Sequence, residues 1–120
     1  NRFYFLINHY KNSIEINPKA TLGQGTNIPH PYAIVIGGST ILSDNCTIMS
    51  CVTFGSNSAK KKNGYPKLKE SCYIGTGAKI IGELEIGSKS IIGANCVVTK
   101  SFDSNSVIVG IPGKLIKENG

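Results

Sequence analysis

The 120-residue sequence has no tryptophan, one methionine, two histidines and no C-x-x-C pair. Its four cysteines stand apart among small and apolar residues: Cys46, Cys51, Cys72 and Cys96. This spacing gives no support to a zinc or dithiol redox motif, and we expect buried free thiols in a reducing cytosol. No secretory signal is visible, and no apolar run approaches the ~20 residues that a membrane span needs. The sequence therefore predicts one cytoplasmic domain, and its start at Asn1 rather than Met leaves open whether a segment precedes it.

Acidic residues are also few, with 7 against 13 basic ones, which gives a net charge of +6. A basic surface suits nucleic acid, a membrane surface or a phosphorylated small ligand. The lysines are scattered apart from Lys60, Lys61 and Lys62, and no nucleic-acid-binding motif accompanies them. The charge therefore favours a phosphate-rich ligand or a solvated surface, and we expect no nucleic-acid partner.

An aliphatic or aromatic residue at every sixth position is the main signal in the sequence. The repeat falls into three in-phase series: Ile16, Leu22, Ile28; then Ile36, Leu42, Ile48, Phe54; then Leu68, Ile74, Ile80, Ile86, Ile92, Val98. A period of six is neither the 3.6 of a helix nor the 2 of a single strand. It predicts short strands joined by tight turns, with three units in each triangular coil and a little over four stacked coils.

Two interruptions break the period. The step from Ile28 to Ile36 contains His30, and the segment 59–67 (AKKKNGYPK) reads as a loop inserted at a coil corner. At the start, the apolar spacing of residues 2–12 predicts a short helix, so residues 1–13 form a cap and 14–120 the solenoid domain. At the end, a turn at 110–113 precedes residues 114–118, which we expect to form a short helix or a tail.

Four segments resemble the hexapeptide-repeat acyltransferase superfamily, most closely the catalytic domain of serine acetyltransferases and related O-acetyltransferases of surface polysaccharide synthesis. They are residues 30–37 (HPYAIVIG), 74–82 (IGTGAKIIG), 92–100 (IGANCVVTK) and 109–116 (VGIPGKLI). The resemblance spans roughly residues 14–116. It implies an all-β fold, a left-handed parallel β-helix, with acetyl-CoA as donor, no metal, and a homotrimer whose active sites lie between subunits.

A hydroxyl acceptor needs a base to take its proton, and a histidine suits this because its pKa lies near the working pH. His9 falls in the predicted cap, whereas His30 matches the place of the family's catalytic base. Glu15, fifteen positions earlier, matches the aspartate that orients this base in serine acetyltransferases. A solvated glutamate is the alternative interpretation of Glu15.

The resemblance also implies a set of residues that contact acetyl-CoA. Backbone near Gly77 and Ala78 would line the pantetheine arm, and an N–H near Ser56 or Gly77 would stabilise the oxyanion. Basic and polar residues would meet the rest of the cofactor, namely Thr99, Lys100 and Lys114. For each lysine, a solvated surface charge is the alternative.

Two positions depart from serine acetyltransferases. Pro29 stands where they have an aspartate before the catalytic histidine, and Tyr65 stands where they have a second histidine before Pro-Lys. Both family residues help to hold the amino acid. Their absence predicts a saccharide hydroxyl as the acceptor, with Tyr65 offering an aromatic face and one hydroxyl. Serine O-acetylation is the alternative.

Other functions on the same fold are less consistent with the sequence. A γ-type carbonic anhydrase needs several histidine ligands for one zinc, which two histidines cannot supply. Nucleotide-sugar N-acylation fits the HPYAIVIG segment poorly. A non-catalytic scaffold remains open, because fold alone does not decide function, and failure to bind coenzyme A would favour it.

Overall fold

A computed structural model describes residues 13–58 and 64–118 of the chain. They form fourteen short strands: β1 Glu15–Ile16, β2 Thr21–Leu22, β3 Val35–Ile36, β4 Ile41–Leu42, β5 Thr47–Ile48, β6 Thr53–Gly55, β7 Lys67–Leu68, β8 Tyr73–Ile74, β9 Lys79–Ile81, β10 Glu85–Ile86, β11 Ile91–Ile92, β12 Val97–Val98, β13 Ser106–Val109 and β14 Lys114–Glu118. The predicted N-terminal helix, with His9, lies outside the described residues. Within the described ranges, no helix has the length and apolarity to cross a membrane.

The strands make the three faces of a prism. Sheet A has the order β1-β3-β6-β9-β12, sheet B β10-β7-β4-β2, and sheet C β14-β13-β11-β8-β5. Neighbours are parallel throughout, except for β13 and β14. The chain is thus a left-handed parallel β-helix, as the resemblance implies.

The six-residue period places one aliphatic column inside each sheet. In sheet A, Ile36, Phe54 and Ile80 are in register and fully buried. Equivalent columns run through Leu42, Leu68 and Ile86 in sheet B and through Ile48, Ile74, Ile92 and Ile108 in sheet C. Burying these side chains is the main stabilising term of the fold, because each removes a large apolar area from water.

The corners form three edges along the prism, and each edge repeats one backbone conformation. The edge from sheet C to sheet A, called here the His30 edge, holds the left-handed residues Ser13, Ala33, Cys51, Gly77 and Asn95, with φ between 52° and 77°. The edge from sheet A to sheet B, the loop edge, carries the insertion. The edge from sheet B to sheet C, the back edge, repeats the left-handed turn at Gly25, Asn45, Ser71, Lys89 and Asn105.

Two sequence expectations need correction. Residues 114–118 are not a helix or a tail: β14 pairs antiparallel with β13, because the turn before it reverses the chain and the outer edge of β13 offers free hydrogen-bonding groups. A five-residue helix without packing would be unstable. The expectation of four buried thiols is wrong for Cys51, which is exposed at a corner, whereas Cys46, Cys72 and Cys96 are buried.

The buried thiols act as small interior hydrogen-bond donors. Cys46 Sγ lies 3.3 Å from the carbonyl oxygen of Lys69, and Cys72 Sγ lies 3.2 Å from that of Gly87. The neighbouring Cys72 thiol lowers the pKa of Cys46 to about 7, while the Cys46 thiol and burial raise the pKa of Cys72. Burial raises the pKa of Cys96.

Candidate active site

His30 lies on a protruding loop of the His30 edge. The step from Ile28 to Ile36 has two residues more than the repeat, so the extra backbone bulges outward at this corner. Pro31 biases His30 toward an extended backbone, and the N–H of Tyr32 donates to the carbonyl oxygen of His30 over 2.8 Å. His30 and Tyr32 are both exposed. The local sequence therefore presents the imidazole to a ligand approaching from outside the prism.

Glu15 lies on the outer face of β1, beside the same edge. It is in register with Val35 of β3, two residues beyond the left-handed corner residue Ser13. The loop that carries His30 leads into β3, so Glu15 and the loop occupy adjacent levels of the prism. Between these two described residues the structure has no hydrogen bond or ion pair. The role of Glu15 in orienting His30 stays a prediction.

Gly77 lies two levels along the His30 edge from the His30 loop. The N–H of Cys51 donates to the carbonyl oxygen of Tyr32 (2.9 Å), and the N–H of Gly77 donates to that of Ser50 (2.9 Å). Adjacent levels are about 4.8 Å apart, so Gly77 lies roughly 10 Å from the loop along the prism axis. A ligand arm running parallel to the axis would meet both.

Ala78 has its side chain in the core, fully buried. Its N–H donates to the carbonyl oxygen of Gly75 over 3.2 Å, and its own carbonyl oxygen accepts from Thr53 N–H over 3.1 Å. Only the second lone pair of that oxygen is left for a ligand. Ala78 can therefore contribute only its backbone to a ligand-binding site, because its side chain packs in the core.

Lys114 lies at the upper end of the His30 edge. The turn before it is held to β12 by two hydrogen bonds, from Val97 N–H to the Gly110 oxygen (3.1 Å) and from Gly113 N–H to the Val97 oxygen (2.8 Å). Lys114 is exposed at the start of β14. Four levels separate this turn from the His30 loop, which corresponds to roughly 19 Å. The structure thus brings His30, Gly77 and Lys114 onto one edge.

The other predicted residues lie across sheet A, on the loop edge. Ser56 follows β6, where its Oγ donates to the Ser58 oxygen (2.9 Å) and accepts from Ser58 N–H (3.1 Å). Thr99 and Lys100 follow β12 and are exposed, with Lys100 Nζ 5.4 Å from the Phe102 ring centroid. About four residues of extended chain, which span about 13 Å, separate the two edges, so one chain cannot bring both edges onto one small ligand group.

Tyr65 packs on the turn at Gly37 and Gly38, where the insertion returns to the prism. A Cβ built on Gly37 would lie 3.1 Å from Tyr65 Cε1, and one built on Gly38 would overlap the ring at Cε2 and Cζ. Tyr65 is half-buried. β7 begins at Lys67, so the last residue of the predicted insertion 59–67 belongs to a strand.

Sequence reasoning missed Lys79, which lies on the outer face of β9. Its ammonium donates to the carbonyl oxygens of Cys51 (2.7 Å) and Gly77 (2.9 Å), two left-handed corner residues on adjacent levels of the His30 edge. The sequence carries no signal for this contact beyond an outward-facing lysine in a strand.

The His30 edge of one chain is a convex corner. A depression of about 470 Å³ lies elsewhere, on sheet B and the back edge, and Thr21, Ile41, Asp44 and Glu70 are among its lining residues. None of the predicted site residues lines it. No group of three or more potential metal-ligating side chains converges in the described part of the chain. An enclosed site at His30 therefore needs a second surface facing the edge.

Residues 65–100, from the end of the insertion to just after β12, match the family described as bacterial transferase hexapeptide (six repeats). The serine acetyltransferase of Bacillus subtilis strain 168 is 36% identical over 125 residues, covering 99% of this chain and 58% of the relative. That of Synechococcus elongatus is 39% identical over 107 residues, covering 89% of this chain and 44% of the relative. The chain spans about half the length of these curated relatives.

Solved structures give the same likeness. Serine acetyltransferase from Vibrio cholerae superposes with a TM-score of 0.88 at 30% identity, covering 90% of this chain and 42% of that one. Serine acetyltransferase from Brucella abortus in complex with coenzyme A has a TM-score of 0.85 at 34% identity, covering 92% and 44%.

Proposed function

We propose that this chain, a member of the hexapeptide-repeat acyltransferase superfamily, transfers an acetyl group from acetyl-CoA to the hydroxyl of serine. One observation carries the proposal: His30 stands exposed on the edge that also presents Gly77 and Lys114, in a chain similar along nearly its whole length to serine acetyltransferases. The coenzyme A complex of the Brucella abortus enzyme supports acetyl-CoA as the donor.

In the proposed reaction, a neutral nitrogen of the His30 imidazole takes the proton of the acceptor hydroxyl. The hydroxyl oxygen attacks the thioester carbonyl and forms a tetrahedral oxyanion. The carbon–sulfur bond then breaks, and the thiolate of coenzyme A takes the proton back from the imidazolium. His30 ends the cycle in its starting state, and the products are the acetyl ester and free coenzyme A.

The position of His30 suits this role. Its loop protrudes from the prism, so the imidazole can reach an acceptor without opening the core. Glu15, on the adjacent level, would accept a hydrogen bond from the second imidazole nitrogen and so fix the tautomer. We infer that this bond forms when a ligand orders the exposed loop.

The donor would lie along the His30 edge. The pantetheine arm would pass the corner backbone at Gly77, where the Asn95 side chain fills the space beside the glycine, and Lys114 would pair with a phosphate at the far end. Ser56, Thr99 and Lys100 lie on the opposite side of sheet A. We propose a homotrimer in which the loop edge of one subunit faces the His30 edge of the next and contributes these residues.

A second candidate acceptor is a saccharide hydroxyl. Pro29 has no carboxylate to pair with the ammonium of serine, and the phenol side chain of Tyr65 offers no cation for its carboxylate. An aromatic ring on the inserted loop suits a sugar face. The likeness to serine acetyltransferases favours serine, and these two positions favour the sugar.

The test of the base is His30→Gln, which keeps hydrogen bonding but cannot accept the proton. We expect kcat to fall by about 10²–10⁴-fold, while the Kd for coenzyme A measured by calorimetry stays within about twofold. Glu15→Gln should lower kcat less, by about tenfold, because it disturbs only the orientation of the imidazole. Near-normal turnover of His30→Gln would show that His30 is not the base.

A further inference from the structure

Lys79 makes an unusual contact for an outward-facing strand residue. It is in register with Thr53 and Val97 on the outer face of sheet A, where a lysine normally extends into water. Here the ammonium turns back to the corner, and Nζ donates to the Cys51 oxygen (2.7 Å) and the Gly77 oxygen (2.9 Å). Charge-assisted hydrogen bonds of this length are stronger than neutral ones, so the side chain is held in place.

The two carbonyls belong to the edge on which the proposed donor lies. Cys51 has φ 60° and Gly77 φ 77°, so both corners hold a left-handed backbone. The N–H of Cys51 in turn donates to the carbonyl oxygen of Tyr32, in the loop that presents His30. A continuous chain of hydrogen bonds therefore runs from the His30 loop through Cys51 and Lys79 to Gly77.

We propose that Lys79 is a positioning residue for acetyl transfer, which holds the His30 loop and the Gly77 corner at a fixed separation so that the thioester carbonyl meets the acceptor oxygen. The inference rests on the proposed function. An ammonium has three donors and Lys79 uses two on backbone oxygens of the described residues, so one remains for a bound ligand. Small misplacements of reacting groups lower reaction rates steeply, so a side chain that fixes their separation should raise kcat.

A clamp that only stabilised the fold would give a different result from one that positions the reacting groups. A structural role predicts a lower melting temperature and, for the folded fraction, an unchanged kcat. A positioning role predicts a lower kcat at a temperature where the variant is fully folded. It also predicts rescue by arginine, whose guanidinium keeps the charge and can donate to two acceptors.

The experiment compares Lys79→Met, Lys79→Arg and the control Lys89→Met, a lysine on the back edge. Melting temperature, Kd for coenzyme A and the kinetic constants for acetyl-CoA are measured for each. We expect Lys79→Met to lower kcat at least about tenfold with KM for acetyl-CoA within about threefold, and Lys79→Arg to recover kcat to within about threefold. Lys89→Met should keep the wild-type kcat and KM for acetyl-CoA, because Lys89 lies on the back edge, away from the proposed site.

Three outcomes would overturn the inference. In the first, Lys79→Met keeps the wild-type kcat. In the second, the activity lost by Lys79→Met is fully explained by its smaller folded fraction. In the third, the kcat of Lys79→Arg is as low as that of Lys79→Met. Failure of the proposed function is a separate result: the wild type itself would then release no thiol from acetyl-CoA with any acceptor, and the role of Lys79 in acetyl transfer would fall with it.

Discussion

Replacing Gly38 by alanine tests how the inserted loop is attached to the prism. Gly38 has φ 45°, in the left-handed region, and a Cβ there would overlap the Tyr65 ring. The ring lies against the Gly37–Gly38 turn, so the alanine methyl and the ring cannot both keep their places. The backbone of a prism corner moves less easily than a loop side chain. We therefore expect Gly38→Ala to displace the Tyr65 ring from the Gly37–Gly38 turn.

The size of the effect follows from two terms. A left-handed alanine costs about 1–2 kcal/mol relative to glycine. A buried aromatic side chain covers 150–250 Å². Tyr65 is half-buried, so displacing it exposes about 100 Å², or about 2.5 kcal/mol at 25 cal/mol/Å². Gly38→Ala should lower the free energy of unfolding by about 3.5–4.5 kcal/mol.

Urea unfolding at a fixed protein concentration measures this loss, since the stability of an oligomer depends on concentration. Gly25→Ala is the matched control: its φ is 74°, and its new Cβ would meet only the end of the Asn45 side chain, which can move. This control should lose about 1–2 kcal/mol. Gly38→Ala should lose the same ~1–2 kcal/mol in a Tyr65→Ala background, so the coupling between the two positions is about 2.5 kcal/mol.

Equal losses for Gly38→Ala with and without the tyrosine ring would refute the packing of Tyr65 on this turn. The kinetics provide a second check. Displacing Tyr65, or replacing it by alanine, should raise KM for a saccharide acceptor more than KM for acetyl-CoA, because the Tyr65 ring is the proposed contact for the sugar face.

Three further predictions concern the His30 edge and the assembly. Cys51 is the exposed thiol, so native alkylation should modify it and spare the three buried cysteines, and saturating acetyl-CoA should slow that alkylation; modification unaffected by acetyl-CoA would place the donor elsewhere. Lys114→Met should raise KM for acetyl-CoA about tenfold but leave KM for acetyl-pantetheine, which lacks the nucleotide, unchanged. The control Lys117→Met should alter neither KM. Equal effects of Lys114→Met on both donors would refute a phosphate contact. Sedimentation should give three times the chain mass, and a fully active monomer would exclude a shared site.

The core of this fold is predictable from the sequence because its period is local. A hexapeptide unit fixes which residue faces inward, and stacking then aligns Ile36, Phe54 and Ile80 even though an insertion separates the last two. Both interruptions of the period correspond to real features, the His30 loop and the segment after β6. The edge shared by His30 and Gly77 follows from the same counting.

Contacts made between distant segments are not visible in the period. The pairing of β14 depends on the free edge of β13, and five residues outside the repeat give no sign of it. The exposure of Cys51 and the clamp of Lys79 depend on left-handed corners that glycine, asparagine and cysteine all adopt here. The contact of the Tyr65 ring with the Gly37–Gly38 turn depends on where the insertion returns to the prism.

The most direct test of the account is the reaction itself. The purified chain is mixed with acetyl-CoA carrying a labelled acetyl group and with serine, or with a panel of mono- and oligosaccharides, and thiol release is followed while mass spectrometry identifies the labelled product. We expect labelled O-acetylserine, with kcat/KM on the order of 10⁴ M⁻¹s⁻¹ or more, and loss of that activity in His30→Gln. A labelled saccharide ester without O-acetylserine would show that the acceptor is a saccharide rather than serine. Thiol release no faster than hydrolysis with every acceptor would contradict acetyl transfer at His30.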